Sequence, residues 1–249
     1  MRRLVFMVAL LAAGAARADA LGDLKAALAR GAVNTPLRAL VDTSSWRKVG
    51  EGKDADEDRG AAVLSVEDGP RGLVVTHGRE LLARIDADLS ARARNPDAKT
   101  PAPYALDEAR PRDLLALTQA AGAITRTIER GVFKGERLDN YQGKPARALR
   151  FELPISVLSS RDRKYAKEFN STFDVWIAAD GTPLASRMRQ AVKGRAFVVV
   201  GFESVLEEDT AFALAGARLV AVRKESHSSA SGAGERDERK VVTALQLQP

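Results

Sequence analysis

Apolar and polar positions alternate most clearly at residues 171–193, STFDVWIAADGTPLASRMRQAVK. Phe173, Val175 and Ile177 interleave with Asp174 and Trp176, and Leu184, Met188 and Val192 return at even spacing. Asp180-Gly181 between the two arms offers the positive φ of a tight reversal, so the stretch predicts a long β-hairpin. The same period of two predicts strands near 132–142, 146–153, 196–207, 211–225 and 241–247. Residues 197–202 are apolar at consecutive positions, the pattern of a central strand covered on both faces. Between these strands, Glu207-Glu208-Asp209 is predicted as a solvated turn and the small, charged residues 226–240 as a long mobile hairpin tip.

The first half of the chain mixes periods. Residues 23–29 predict a short opening helix with Leu24 and Leu28 four apart, and residues 37–49 a first strand. The hydrophilic residues 51–60 predict a turn, followed by short strands at 61–67 and 73–77 around Asp68-Gly69-Pro70. Residues 79–94 predict a helix: Leu82, Ile85 and Leu89 share a face, Glu80/Arg84 and Asp88/Arg92 are acid-before-base pairs at i,i+4, and Asn95-Pro96 ends it. Four prolines at 96, 101, 103 and 111 predict an extended loop over 95–111. Residues 112–130 then carry a stripe of Leu114, Leu117, Ala121, Ile124 and Ile128, the clearest helix in the chain. Burying its four Leu and Ile side chains is worth at most on the order of 6–12 kcal/mol, so this face needs an apolar partner.

Strands joined by connections too short for helical crossovers give an α+β fold. The expectation is one large, curved antiparallel β-sheet, a half-barrel, with two helices packed on its concave face. It forms a single domain over 21–249 with a helical insertion at about 79–130.

Composition places this domain outside the cytoplasm. Arg2 and Arg3 precede an apolar run from Leu4 to Ala13, and Ala18-Asp19-Ala20 is a small-x-small cleavage pattern, which together predict a signal peptide removed near Ala20. The apolar run is about half of the ~20 residues that span a bilayer, so the expectation is a periplasmic or secreted protein that is not membrane-spanning after cleavage. The chain has no cysteine, and its core must hold without disulfides. Loss of Arg2, Arg3, Arg17 and Asp19 lowers the net charge of +6 by two. Basic and acidic residues are interspersed, and the small cluster of Arg161, Arg163, Lys164 and Lys167 is too limited a footprint for a nucleic-acid partner.

A signal peptide, a long meandering sheet, a helical insertion after the early strands, and Val175-Trp176-Ile177 running into Asp180-Gly181-Thr182-Pro183 resemble the periplasmic half-barrel superfamily of the outer-membrane lipoprotein carrier. The resemblance implies an open, lipid-sized apolar cavity between sheet and helices. That group also locks a lid with an arginine, a role that no local motif assigns here. The function expected on this basis is non-enzymatic: binding of a lipid, a lipoprotein acyl chain or another apolar group, with no cofactor. The expected lining residues are Leu117, Ile124, Ile128, Leu149, Phe151, Phe173, Val175 and Ile177, each equally suited to an ordinary core. The alternative is an envelope protein-interaction module with a filled core, docking through a sheet edge or residues 226–240.

Catalytic and metal patterns do not assemble. Ser45-Trp46-Arg47-Lys48 matches S-x-x-K, but Ser45 falls in a predicted strand and no S-D-N accompanies it. Asp54, Asp56 and Asp58 begin like a calcium loop, but Arg59 stands where the turn needs Gly and Ser65 where closure needs Glu. His77 and His227 are too few and too distant for zinc. Trp46 and Trp176 suit core packing or a cavity wall.

Overall fold

The computed structural model describes residues 19–196 and 200–248. The leader pattern lies outside them except for its last two residues, as does half of the apolar run at 197–202. Ten antiparallel strands form one sheet in the order β3-β2-β1-β10-β9-β8-β7-β6-β5-β4. They are β1 (Leu37–Val49), β2 (Asp56–Gly69), β3 (Gly72–His77), β4 (Val132–Tyr141), β5 (Lys144–Glu152), β6 (Ala166–Ile177), β7 (Pro183–Ala196), β8 (Val200–Ala215), β9 (Arg218–Gly232) and β10 (Glu235–Leu247). Every neighbour in the sheet is also a neighbour in sequence except β1 and β10. The sheet is open, and its edges are β3 and β4. Because the helical insertion leaves from one edge and returns at the other, it must cross the full width of the sheet. The curved face therefore receives the helices, as the sequence predicts.

That helical layer is larger than two helices. α1 (Ala20–Gly31) buries Ala20, Leu24, Ala27 and Leu28. α2 (Arg79–Arg94) has the predicted bounds but buries only Leu81, while Leu82 and Leu89 stay exposed. The predicted loop at 95–111 contains α3 (Pro101–Leu106). Prolines there do not oppose a helix, since Pro101 and Pro103 occupy the first turn, whose N–H groups have no intrahelical partner. The one free N–H between them, on Ala102, is donated to Asp88 of α2 at 2.9 Å. α3 lies directly against β2, where a Cβ on Gly60 would stand 2.5 Å from the Pro101 carbonyl oxygen.

The predicted helix at 112–130 is two helices, α4 (Pro111–Thr118) and α5 (Ala120–Arg130), broken at Gln119 (φ −124°, ψ 50°). A buried arginine marks the break. Arg218 of β9 donates to the Thr118 carbonyl at 2.8 Å and to the Thr35 carbonyl at 2.7 Å, and pairs with Asp68 at the end of β2. The same Asp68 carboxylate accepts from the Thr118 hydroxyl at 2.7 Å and the Gln119 amide at 3.0 Å. Both members of the ion pair are buried, Arg218 at 1 % and Asp68 at 2 % exposure. The network ties the helical layer to the β2–β3 turn and to β9.

Three further expectations are corrected. The acidic turn is shorter than 51–60, because Asp56 and Asp58 sit in β2, where Lys99 neutralises both. Glu207-Glu208-Asp209 is the middle of β8, not a turn, since each carboxylate has a basic cross-strand neighbour: Arg189, Lys224 and Arg187 at 3.1, 2.8 and 2.5 Å. The chain reverses instead at Gly216 (φ 61°). Residues 226–240 are not a mobile tip but the paired ends of β9 and β10, with the reversal confined to Ala233 and Gly234, both at positive φ. The 171–193 hairpin forms as predicted: Gly181 has φ 85°, Ala178 donates to the Thr182 carbonyl, and the Asp180 carboxylate caps Thr182.

Candidate functional site

Strand register places unlike residues on the two halves of the concave face. One cross-strand row runs Val175, Ser186, Thr210, Lys224, Thr243, Thr43 from β6 to β1. The next runs Phe173, Met188, Glu208, Ser226, Val241, Ser45. A third continues Ser171, Gln190, Leu206, Ser228, Arg239, Arg47. The face is thus apolar where α1, α4 and α5 cover it and polar toward the β9–β10 turn.

All eight predicted lining residues are buried in one contiguous core, together with Leu24, Leu28, Val41 and Leu64. Leu149, Phe151, Val175, Ile177 and Ile128 lie away from the three recesses described below. Leu117, Ile124 and Phe173 do reach a small recess of about 80 Å³ beneath α4–α5, closed by Phe212, Ala221 and Thr210. Leu117, Glu208 and Lys224 are walls common to this recess and to a larger trough of about 330 Å³, open between residues 108–117 and strands β8–β10. Leu114, Leu206 and Val241 supply its apolar surface. The trough extends past Glu108 and Arg239 into a wider mouth of about 600 Å³ bordered by Tyr104, Arg47 and Asp237.

Ion pairs organise the trough. Lys224 pairs with Glu208 at 2.8 Å, Arg47 with Asp237 at 2.6 Å, and Arg239 with Glu108. The Glu108 side chain is 8 % exposed. One donor here, Arg239 Nε, is buried without a partner, and the Thr43 and Ser45 hydroxyls on the adjoining β1 share that condition. Burial lifts the Tyr104 phenol above its ordinary value against the opposing pull of Arg239 and Arg47. The hydrogen bonds from Arg47 to Asp237 hold that guanidinium more firmly protonated. Fixed charges beside Leu114, Leu117 and Leu206 suit a molecule with one polar and one apolar part.

Sequence reasoning missed Lys224, Glu208, Glu108 and Arg239. Their alternation was present: Leu206, Glu208, Thr210 and Phe212 share one parity, as do Lys224, Ser226 and Ser228, but reading 207–209 as a turn hid it. Neither Trp46 nor Trp176 lines the core or the trough, but Trp176 walls a separate recess of about 600 Å³ with Tyr141, Ala185 and Arg187. Both tryptophans sit on the outer face, donating to Glu57 at 3.2 Å and Asp139 at 2.9 Å, with Lys240 over the Trp46 ring. His77 is exposed at the end of β3, and His227 meets Glu238 at 3.0 Å. Among the described residues no group of three or more His, Asp or Glu could hold a metal ion, and no helix is long and apolar enough to cross a membrane.

The Asp68–Arg218 pair gives the fold a pH dependence. Burial pushes the Asp68 carboxyl up, yet the hydrogen bonds of Thr118 and Gln119 and the charge of Arg218 outweigh it and hold the group below its ordinary value. A carboxyl depressed in the folded state stabilises above its unfolded value near ~3.9 and loses that contribution as pH falls through the folded one. Thermal unfolding of wild type and Asp68→Asn should therefore differ most at neutral pH, keep much of that difference near about pH 4, and converge only as pH falls further, through the folded value. A gap that stays constant into acid contradicts this.

Comparisons with protein-family models, with curated proteins and with solved structures find no match to this chain.

Proposed function

We propose that this is an exported, non-enzymatic binding protein that holds an amphipathic molecule on the concave face of its sheet. The end of the apolar part, a few methylenes of an acyl chain or similar group, enters the recess beneath α4–α5; the remainder follows Leu114, Leu206 and Val241 along the trough, where the polar part also lies. The observation that carries this reading is the shared wall of Leu117, Glu208 and Lys224, where an apolar recess adjoins a charged trough. The leader-like residues 1–20 support export, and the resemblance to the lipoprotein-carrier superfamily supports a lipid or lipoprotein acyl chain as ligand.

Native mass spectrometry of protein released gently from the envelope, together with uptake of a fluorescent fatty acid, tests it. A lipid-sized adduct and saturable uptake are expected; neither adduct nor uptake overturns the reading. Ala123 is half-buried at the recess and tolerates a larger helix-forming residue. Ala123→Leu should weaken uptake by about tenfold or more while leaving thermal unfolding close to wild type. Unchanged uptake places the apolar group elsewhere.

Edge strand β4 supports a second reading, docking of an envelope protein. Leu138 is 89 % exposed there, Val132 and Phe133 at the start of the same strand are also exposed, and an unpaired edge is a template for strand addition. Envelope pull-down with Leu138→Lys separates the two, since only this second reading requires loss of capture.

A further inference from the structure

We propose that the polar group held in the trough is zwitterionic, a cation and an anion a few ångström apart; this rests on the amphipathic-ligand reading above. The trough and its mouth carry five cations, Arg47, Arg110, Arg112, Lys224 and Arg239. They carry five acids as well, Asp107, Glu108, Asp113, Glu208 and Asp237. Strong charge with no net charge is the defining property of this surface.

The charges are also interleaved. Lys224 lies 2.8 Å from Glu208, Arg239 is paired with Glu108, and Arg110 lies 3.0 Å from Asp113. Lys224 and Glu208 keep 27 % and 23 % of their side-chain exposure, so a ligand that settles on them removes water from both at once. A neutral apolar group would desolvate each pair and return nothing. An anion drawn to Lys224 or Arg239 meets Glu208 or Glu108 within one side-chain length, and a cation meets the converse. A zwitterion sets its anion on the lysine and arginine and its cation on Glu208, replacing the lost water on both sides.

Such chemistry occurs in an ethanolamine phospholipid headgroup and in small free zwitterions, and the adjoining recess favours the lipid. Displacement of a fluorescent fatty acid from the full mature protein separates the sources. The competitors are lysophosphatidylethanolamine, lysophosphatidylglycerol with the same acyl chain, and glycerophosphoethanolamine, which has no chain. The ethanolamine lysolipid should displace the probe at a concentration about tenfold lower than the glycerol lysolipid, and the chainless compound should be the weakest. Glu208→Gln should erase that preference.

Equal or stronger displacement by lysophosphatidylglycerol overturns the zwitterion while leaving the amphipathic reading intact, as does a preference that Glu208→Gln does not alter. Failure of the probe and of both lysolipids to bind overturns the amphipathic reading and the zwitterion with it. Glycerophosphoethanolamine acting as well as its lysolipid retains the zwitterion and overturns the lipid source.

Discussion

Arg218→Met should destabilise the protein by about 3–5 kcal/mol, because it leaves the buried Asp68 carboxylate without its counter-ion. For a domain of this size the unfolding midpoint should fall on the order of 10 °C. Met retains most of the arginine stem volume, so the loss reports charge and hydrogen bonding more than packing. The Thr118 and Thr35 carbonyls lose their guanidinium donor at the same time, and the α4–α5 break loses its anchor on β9. The double variant Asp68→Asn/Arg218→Met removes both charges and should recover part of the loss, which a double-mutant cycle measures. Additive effects of the two substitutions would show that the pair is not coupled.

Phe151→Ala should cost a similar amount, about 3–5 kcal/mol in urea unfolding, as expected for an aromatic side chain deleted from a packed core. Phe151 is 2 % exposed, faces Phe173 across β5 and β6, and meets the Phe133 ring at a centroid distance of 5.4 Å. Its place distinguishes packing from lining. Under conditions where the variant remains folded, uptake of the fluorescent fatty acid should change by no more than about twofold. Selective loss of uptake from a stable Phe151→Ala protein would put the ligand deep in the core, where sequence reasoning first placed it.

Much of the architecture was legible because local and global preferences agree. At Arg79–Arg94 the i,i+4 pairs, composition and Asn95-Pro96 stop all point to the same helix, and the bounds match. Asp180-Gly181 gave the hairpin turn for the reason that only a residue tolerant of positive φ fits there. Expectations failed where tertiary contacts override local signals. Lys99 lets Asp56 and Asp58 enter a strand, three basic neighbours keep 207–209 extended, and Asp88 caps a helix inside a proline-rich stretch. The break at Gln119 depends on Arg218, about a hundred residues away, and no window around 112–130 contains it.

The candidate site was less legible than the fold for a related reason. Apolar residues at strand and helix spacing identify a core, and all eight candidates lie in it. A site on the concave face is instead marked by polar residues sharing the parity of core residues, and those rows become visible only once register joins β6 through β10 to β1. Lys224, Glu208 and Arg239 come from three strands and Glu108 from the turn between α3 and α4, and they converge through topology alone.

A crystal structure of the mature protein with lysophosphatidylethanolamine tests the central claim most directly. The account predicts the end of the acyl chain beneath α4–α5 against Leu117 and Phe173, with the headgroup in the trough between Lys224 and Glu208. Electron density for the lipid along the β4 edge or on the outer face near Trp176, with the trough unchanged, would contradict it.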